Sequence, residues 1–470
     1  MPPVPGSVAG MTSSPPEQHP ASSTATAGSA PSWRVDGLDL ARFLALIGMM
    51  GTHLWLSDAE GATIPLTGAL EGKAASLFAV LAGVGIVLAT RRHLDAGDAR
   101  AARLALFGRG AALIVIGLVL GMFSFYILVI LTYYGVLFWL LIPFVRLRAR
   151  WLLIAAAVWA IVWPFCSHGL RLLLATDDWP IKSPNLADLL SPHLLVTDLL
   201  LTGTYPAIAW MVYGFVGMAI GKLIVERVGS VGVSGTGTAA AFSPDRGPLR
   251  RLGAQLALWG GGVAALVTLV NLVIVRYVYL PTLGSGGTMD DGAPGGLMGG
   301  DWESGAADPA QAQQIELESL RENAYGTTPT DSLTNLLSTG PHTSTPFDLL
   351  ITAGVAMAVI GVCIIVASFF GRLAGRILLP VLGAGAAPLT VYAVHVVLTT
   401  ALRLLAQGSG AADSWLASSW QIWLVNILVA LAIGAAIRLA RMRGPLESLV
   451  TASGRWAAGL RGARRGAAVM

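Results

Sequence analysis

Long apolar segments alternate with short polar connections along most of the chain. Ten of these segments reach or approach the roughly 20 residues that an α-helix needs to cross a bilayer. We predict helices at residues 37–56, 74–90, 104–124, 126–145, 151–167, 203–225, 254–280, 348–370, 379–405 and 419–439. The pattern therefore predicts an all-α, polytopic membrane helix bundle of about 10 transmembrane helices.

The distribution of basic residues predicts the orientation of this bundle. With a cytoplasmic N-terminus, the even-numbered connections and the C-terminal tail carry most of the arginines. The opposite side carries few basic residues, namely Lys73, Arg171, Lys182 and Arg321, with Arg276 and Arg403 near helix ends. Because cytoplasmic loops of membrane proteins are enriched in Lys and Arg, we predict cytoplasmic N- and C-termini and a multi-pass protein of the cell membrane.

Composition agrees with a membrane protein. The chain is 54% hydrophobic and 12% charged, whereas soluble domains carry about 25% charged residues. The isoelectric point of about 9.2 reflects basic residues that lie between apolar segments, so no nucleic-acid binding is expected.

Cys166 and Cys363 lie inside apolar segments, and the sequence predicts no metal site. Glycines such as Gly83 and Gly217 indicate close approach of helices.

The polar regions define the domain organisation. Residues 1–33 are rich in Pro, Ser, Ala and Thr, which is typical of a disordered tail. Residues 34–444 form the predicted membrane domain, and residues 281–340 form an extracytoplasmic loop insertion with a short helix expected around residues 310–323. Residues 445–470 form a basic cytoplasmic tail. Because no soluble catalytic domain is predicted, any chemistry belongs to the bundle or its outer rim.

Arg42 and His53 lie eleven residues apart in the first apolar segment. Eleven helical steps make three turns plus about 20°, so both side chains share one face about 16 Å apart along the axis. Ionisable groups at membrane depth are costly and usually functional. The alternatives are that Arg42 extends to the interface and only orients the helix, and that His53 makes a hydrogen bond between packed helices.

The spacing suits an acyl-CoA donor, which has phosphates at one end and a thioester at the other. Arg34 and Arg42 are candidates for binding the phosphates, because arginine is always charged and offers forked donors. A neutral histidine is suited to act as a general base for a hydroxyl or amine acceptor. We therefore predict that His53 activates an acceptor, or carries the acyl group transiently.

The same residues carry a family resemblance. Arg34-x-x-Gly37-Leu38-Asp39-x-x-Arg42-x10-His53 resembles the first helix of bacterial acyltransferase family 3 proteins. It also resembles relatives of heparan-alpha-glucosaminide N-acetyltransferase, in which the late position is often Asn. Segments of later helices are similar to this second branch: Leu77–Val84, Tyr133–Phe138 and Gly203–Trp210. Pro388–His395 resembles a C-terminal segment common in uncharacterised bacterial relatives. The resemblance implies transfer of an acyl group, most simply acetyl, from cytoplasmic acyl-CoA to an extracytoplasmic glycan or glycolipid.

Further polar and aromatic residues are candidates for the acceptor side. His395 is expected at a depth similar to that of His53, either as a second catalytic group or as a packing histidine. His342 precedes the eighth predicted helix, where it could meet an acceptor or simply lie at the surface. Tyr133, Tyr205 and Trp210 are candidates for substrate binding, with packing or an interfacial belt as the alternative.

Two other classes of function remain open from the sequence. A transporter or translocator of an anionic or glycolipid substrate could use the same charged groups, although no internal repeat is obvious and such repeats are common in transporters. A non-catalytic membrane scaffold is the other alternative. Membrane lipid is an expected partner in each case.

Overall fold

The computed structural model describes residues 35–55, 64–174, 182–231, 247–281, 320, 326–408 and 419–459. The regular elements of these residues are helical. They are α1 (Asp36–Leu54), α2 (Pro65–Leu70), α3 (Lys73–Asp95), α4 (Ala99–Gly121), α5 (Leu131–Leu141), α6 (Ala149–Leu174), α7 (Pro192–Thr197), α8 (Ala207–Val231), α9 (Gly247–Val273), α10 (Pro346–Ser368), α11 (Arg372–Ile377), α12 (Leu379–Ala386), α13 (Pro388–Gly408), α14 (Ser419–Leu439) and α15 (Pro445–Gly459). The predicted all-α bundle is confirmed.

Each of the ten predicted segments overlaps a helix in the described part of the chain. Eight helical segments there are long and apolar enough to cross a membrane. The other two predicted spans correspond to α1 and α5. Helix α1 contains Asp36, Asp39, Arg42 and His53, which lower its hydropathy, and α5 is short. The predicted tail of residues 1–33, the Gly-rich part of the 281–340 insertion and the helix around 310–323 lie outside the described residues, apart from Leu320.

The prediction of one continuous helix over 379–405 is wrong, because the chain breaks there into α12 and α13. Ala387 between them has φ −128° and ψ 52°, and Pro388 begins α13. Proline disfavours the helical conformation of the residue before it and offers no N–H for the preceding turn. The ninth predicted span is therefore a discontinuous helix.

Helix α5 also begins later than the predicted start at residue 126. Residues 122–130 instead run alongside α13: the Thr400 hydroxyl donates to Phe123 O at 2.8 Å, and the Ile130 amide donates to the Tyr392 oxygen at 3.3 Å. This connection satisfies its backbone against a neighbouring helix, as a non-helical segment at membrane depth must. It brings the N-terminal turn of α5, with Thr132 and Tyr133, into the buried interior.

Helix α1 is the central helix of the unit that begins at Asp36, and it packs against α3, α10, α12 and α14. Small residues allow this packing and that of neighbouring pairs. A Cβ atom on Gly217 of α8 would lie 1.9 Å from Val80 O of α3, and one on Gly83 would lie 2.6 Å from Gly214 O. The predicted close approach at Gly83 and Gly217 is confirmed.

An ion-pair network joins the first and the last predicted spans. Asp39 near the start of α1 accepts from Arg42 at 2.8 Å and pairs with Arg438 near the end of α14 at 3.5 Å. The start of α1 and the end of α14 therefore lie at one end of the bundle, as an even number of spans requires. We call this end, which holds Arg42 and Arg438, the basic end, and the opposite end the loop end.

Candidate active site

Arg42 lies at the basic end in a shared ion-pair network. The Asp39 carboxylate is 5% exposed and lies between the guanidinium groups of Arg42 and Arg438, whose side chains are 20% and 23% exposed. Among the described residues, this one carboxylate therefore serves two guanidinium groups, and both of them remain partly accessible to solvent. Arg438 is thus a second phosphate-binding candidate, although its position in the sequence bears only on the orientation of the bundle.

His53 lies in the last turn of α1, at the loop end. Its side chain is half-buried and forms no hydrogen bond with the described residues. It lies close enough to both His342 and His395 to act on them electrostatically. The structure thus brings together three histidines that are separated by up to 342 positions in the sequence.

His395 on α13 is oriented by Asn426 of α14. The Asn426 amide donates to Ile422 O at 2.9 Å and to the Thr399 hydroxyl at 3.2 Å, which directs its own carbonyl oxygen toward His395 Nδ1 at 3.0 Å. Because that oxygen only accepts hydrogen bonds, Nδ1 carries the proton and Nε2 carries a lone pair. Nε2 is buried without a hydrogen-bond partner among the described residues, so it is available to accept a proton.

His342 lies in a loop held rigidly against the start of α10. Its φ is 62° and that of Ser344 is 55°, a conformation that non-glycine residues rarely adopt and that often occurs at functional sites. The Ser344 amide donates to Asp348 and the Asp348 amide donates to Thr345, both at 3.0 Å, so the loop and the helix cap each other. The strained turn is therefore fixed by the hydrogen bonds around it.

The environment of His342 keeps it neutral. Its side chain is 6% exposed. Burial, followed by the nearby charges of His53 and Lys73, lowers the pKa of His342 from 6.5 to about 3. A buried imidazole with this pKa is uncharged at neutral pH. His342 is consequently suited to hydrogen bonding rather than to binding an anion.

The aromatic candidates form one continuous cluster beside His342. Tyr205 contacts Tyr133, Trp210 and His342 edge-on, with ring centroids 5.5, 5.2 and 5.0 Å apart. The Tyr133 hydroxyl donates to Asp198 Oδ2 at 2.9 Å. Trp210 Nε1 is buried without a hydrogen-bond partner in the described part of the chain. The structure therefore joins all four predicted substrate-binding residues and adds Asp198, which no sequence motif indicates.

A pocket at the loop end is lined in part by Thr343 and Ser344, the two residues that follow His342 in the chain. Arg42, His53 and His395 do not line this pocket, so it does not join Arg42 to His53. Its walls are rich in hydroxyl groups and include one buried arginine: Trp163, Pro164, Ser167, Arg171, Pro206, Ala209, Thr327, Thr328, Leu336, Thr343 and Ser344. Such a lining suits a polar, hydrogen-bonding molecule.

Arg34 lies outside the described residues, so its place beside Arg42 stays a prediction. Among the described residues, no three His, Cys, Asp or Glu side chains are grouped as metal ligands would be.

Part of this arrangement lies in a segment that matches a known family. The model of the family described as heparan-alpha-glucosaminide N-acetyltransferase, catalytic, matches residues 34–247. This match confirms the family resemblance. It contains Arg42, His53, Tyr133, Tyr205 and Trp210, whereas His342 and His395 lie beyond it. The chain has no significant match among curated proteins.

Proposed function

We propose that this protein is an integral membrane acyltransferase that moves an acetyl or other short acyl group from acyl-CoA to a glycan or glycolipid. The acetyltransferase family match supports the reaction class. The observation that carries the proposal is the convergence of His53, His342 and His395 at the far end of the helix that holds Arg42. On this proposal, one helix links a phosphate-binding end to a cluster of three imidazole groups.

The donor is proposed to bind at the basic end. Arg42 and Arg438 bind phosphate there, because both guanidinium groups are partly exposed and share a single carboxylate, Asp39. Arg34 is a third candidate by its position in the sequence, eight residues before Arg42. The spacing of about 16 Å along α1 suits the extended arm of CoA, which would run from these arginines towards His53.

His53 is proposed to act as the general base. It accepts the proton of an acceptor hydroxyl or amine, whose oxygen or nitrogen then forms a bond to the thioester carbonyl carbon. The carbon–sulfur bond breaks, and the proton passes from His53 to the departing thiolate, so atoms and charge balance. His395 Nε2 is a second proton acceptor nearby.

The acceptor is proposed to bind at the loop end. The rings of His342, Tyr205, Trp210 and Tyr133 pack together in one buried cluster, and the hydroxyl-lined pocket adjoins the His342 loop. Aromatic faces together with hydroxyl groups suit a sugar, which has apolar faces and many hydroxyls.

The test is transfer of label from radioactive acetyl-CoA to the glycan and glycolipid fractions of membranes that contain the full-length protein. Because a general base contributes about 10²–10⁴-fold to a rate, His53→Ala should lower labelling at least about 100-fold. His193→Ala is the matched control, since His193 is an exposed histidine of α7.

Two results would count against the proposal. Equal labelling by wild type and His53→Ala would exclude His53 as the base. If wild-type membranes neither label an acceptor nor release CoA thiol with amino sugars and glycolipids supplied, the acyltransferase proposal fails and transport becomes the better explanation. Thermal unfolding of each variant distinguishes lost chemistry from lost folding.

A further inference from the structure

Helix α15 packs on the first half of α4 through glycines. A Cβ atom on Gly108 would lie 2.6 Å from Ser453 O, and one on Gly454 would lie 2.8 Å from Ala105 O. The two helices thus approach closely at the basic end, beside the end of α14. The sequence prediction described residues 445–470 only as a basic tail.

This close packing brings three arginines together. The Arg109 side chain runs along Gly454, where a Cβ atom would lie 2.9 Å from Arg109 Cγ and 3.1 Å from Nε. Gly454 therefore leaves the space that Arg109 occupies. Arg443, in the α14–α15 connection, and Arg455 lie near enough to act electrostatically on Arg109. We call these three residues the arginine cluster.

The arginine cluster has no counter-ion within the described residues. None of its three guanidinium groups forms a hydrogen bond or an ion pair there. The Glu447 carboxylate, which lies against Gly444, is occupied by the start of α13: it accepts from Leu389 N, Thr390 N and the Thr390 hydroxyl. The cluster differs in this respect from Arg42 and Arg438, which share Asp39.

The cluster is nevertheless accessible, since Arg443 and Arg455 are exposed and Arg109 is half-buried. Three like charges in one place repel one another, and an anion that contacts them removes that cost. Guanidinium groups match phosphate oxygens in geometry and charge. Since CoA and phospholipids both carry phosphate, either could supply the anion.

We propose that Arg109, Arg443 and Arg455 form a phosphate-binding site at the basic end, separate from the Arg42–Arg438 network, for a phosphate carried by CoA or by an anionic lipid head group. The CoA alternative rests on the proposed function, whereas the lipid alternative does not.

The experiment uses the full-length protein in nanodiscs of zwitterionic lipid. One arm measures binding of CoA by calorimetry, with pantetheine, which lacks phosphate, as the comparison probe. The other arm measures binding of short-chain phosphatidylglycerol by native mass spectrometry. The variants are Arg109→Gln, Arg455→Gln and the double variant Arg443→Gln with Arg455→Gln. Arg103→Gln is the matched control, because Arg103 is an exposed arginine on the same helix as Arg109.

Each cluster variant should weaken binding of the phosphate probe about tenfold, as expected for the loss of a charge-assisted hydrogen bond. Arg103→Gln and pantetheine binding should not change. Weaker binding of CoA alone identifies CoA as the source, and weaker binding of phosphatidylglycerol alone identifies a lipid head group.

Unchanged affinity for both probes in the double variant and in Arg109→Gln would overturn the proposal. Arg109→Lys, which keeps the charge, should bind more tightly than Arg109→Gln and controls for misfolding. If His53→Ala keeps acetyl transfer while the cluster variants lose phosphate binding, the catalytic proposal fails and the phosphate site stands.

Discussion

Glu447 connects the C-terminal helix α15 to the start of α13, and we expect its removal to loosen that connection. Its Oε1 accepts from the amides of Leu389 and Thr390 at 2.7 and 3.1 Å, and its Oε2 accepts from the Thr390 hydroxyl at 2.6 Å. These amides belong to the first turn of α13, where helical N–H groups have no partner within the helix. A carboxylate there also interacts favourably with the helix dipole.

The magnitude follows from these contacts. Loss of an N-cap acceptor costs about 0.5–2 kcal/mol, and hydrogen bonds to charged groups contribute about 1.5–3 kcal/mol each. Because the site is only partly buried, water replaces some of these bonds in a variant. We therefore expect Glu447→Ala to lower the free energy of opening the start of α13 by about 2 kcal/mol. Glu447→Gln, which keeps one acceptor oxygen, should cost about half as much.

Hydrogen exchange of the purified protein measures this locally. A loss of about 2 kcal/mol corresponds to about 30-fold faster exchange of the Leu389 and Thr390 amides. Ser448→Ala is the control, because Ser448 is an exposed neighbour in α15. Exchange in Glu447→Ala within threefold of wild type would show that the carboxylate does not stabilise α13 and would refute the reasoning.

Two further predictions concern packing and pH. Gly217→Ala should destabilise the bundle by about 1–3 kcal/mol, because the new Cβ would lie 1.9 Å from Val80 O. Thermal unfolding measures this loss of stability. Gly85→Ala is the control and should leave the stability unchanged, because its Cβ meets nothing within 4 Å. For His342, burial lowers the pKa from 6.5 to about 3, so the unfolded chain takes up a proton below pH 6.5 and the folded protein does not. Stability should therefore fall with decreasing pH from about 6.5, by at most ~1.4 kcal/mol per unit. His342→Asn, which tolerates the positive φ, should be less pH-dependent over that range; an unchanged dependence would contradict this account.

Segment length and hydrophobicity determined most of the helix positions in this protein. A bilayer needs about 20 apolar residues per helix, so this signal is local and strong, and all ten predicted segments overlap observed helices. The errors came where local signals compete. Pro388 ends a helix inside an apolar segment, and residues 122–130 take their partners from α13 rather than forming another helical turn. Helix α15 was missed because its stability depends on contacts with α4 and α13.

In the candidate site, too, local sequence determined the spacing of residues along one helix, whereas helix packing determined which residues meet. The sequence placed Arg42 and His53 on one helix because helical geometry fixes spacing along a single element. It also selected His342, His395, Tyr133, Tyr205 and Trp210 as individual residues. Only the tertiary structure decided that these residues meet, that Asn426 orients His395, and that Asp39 is shared between Arg42 and Arg438. Such contacts join residues hundreds of positions apart. They depend on how the helices pack, which no local pattern in the chain specifies.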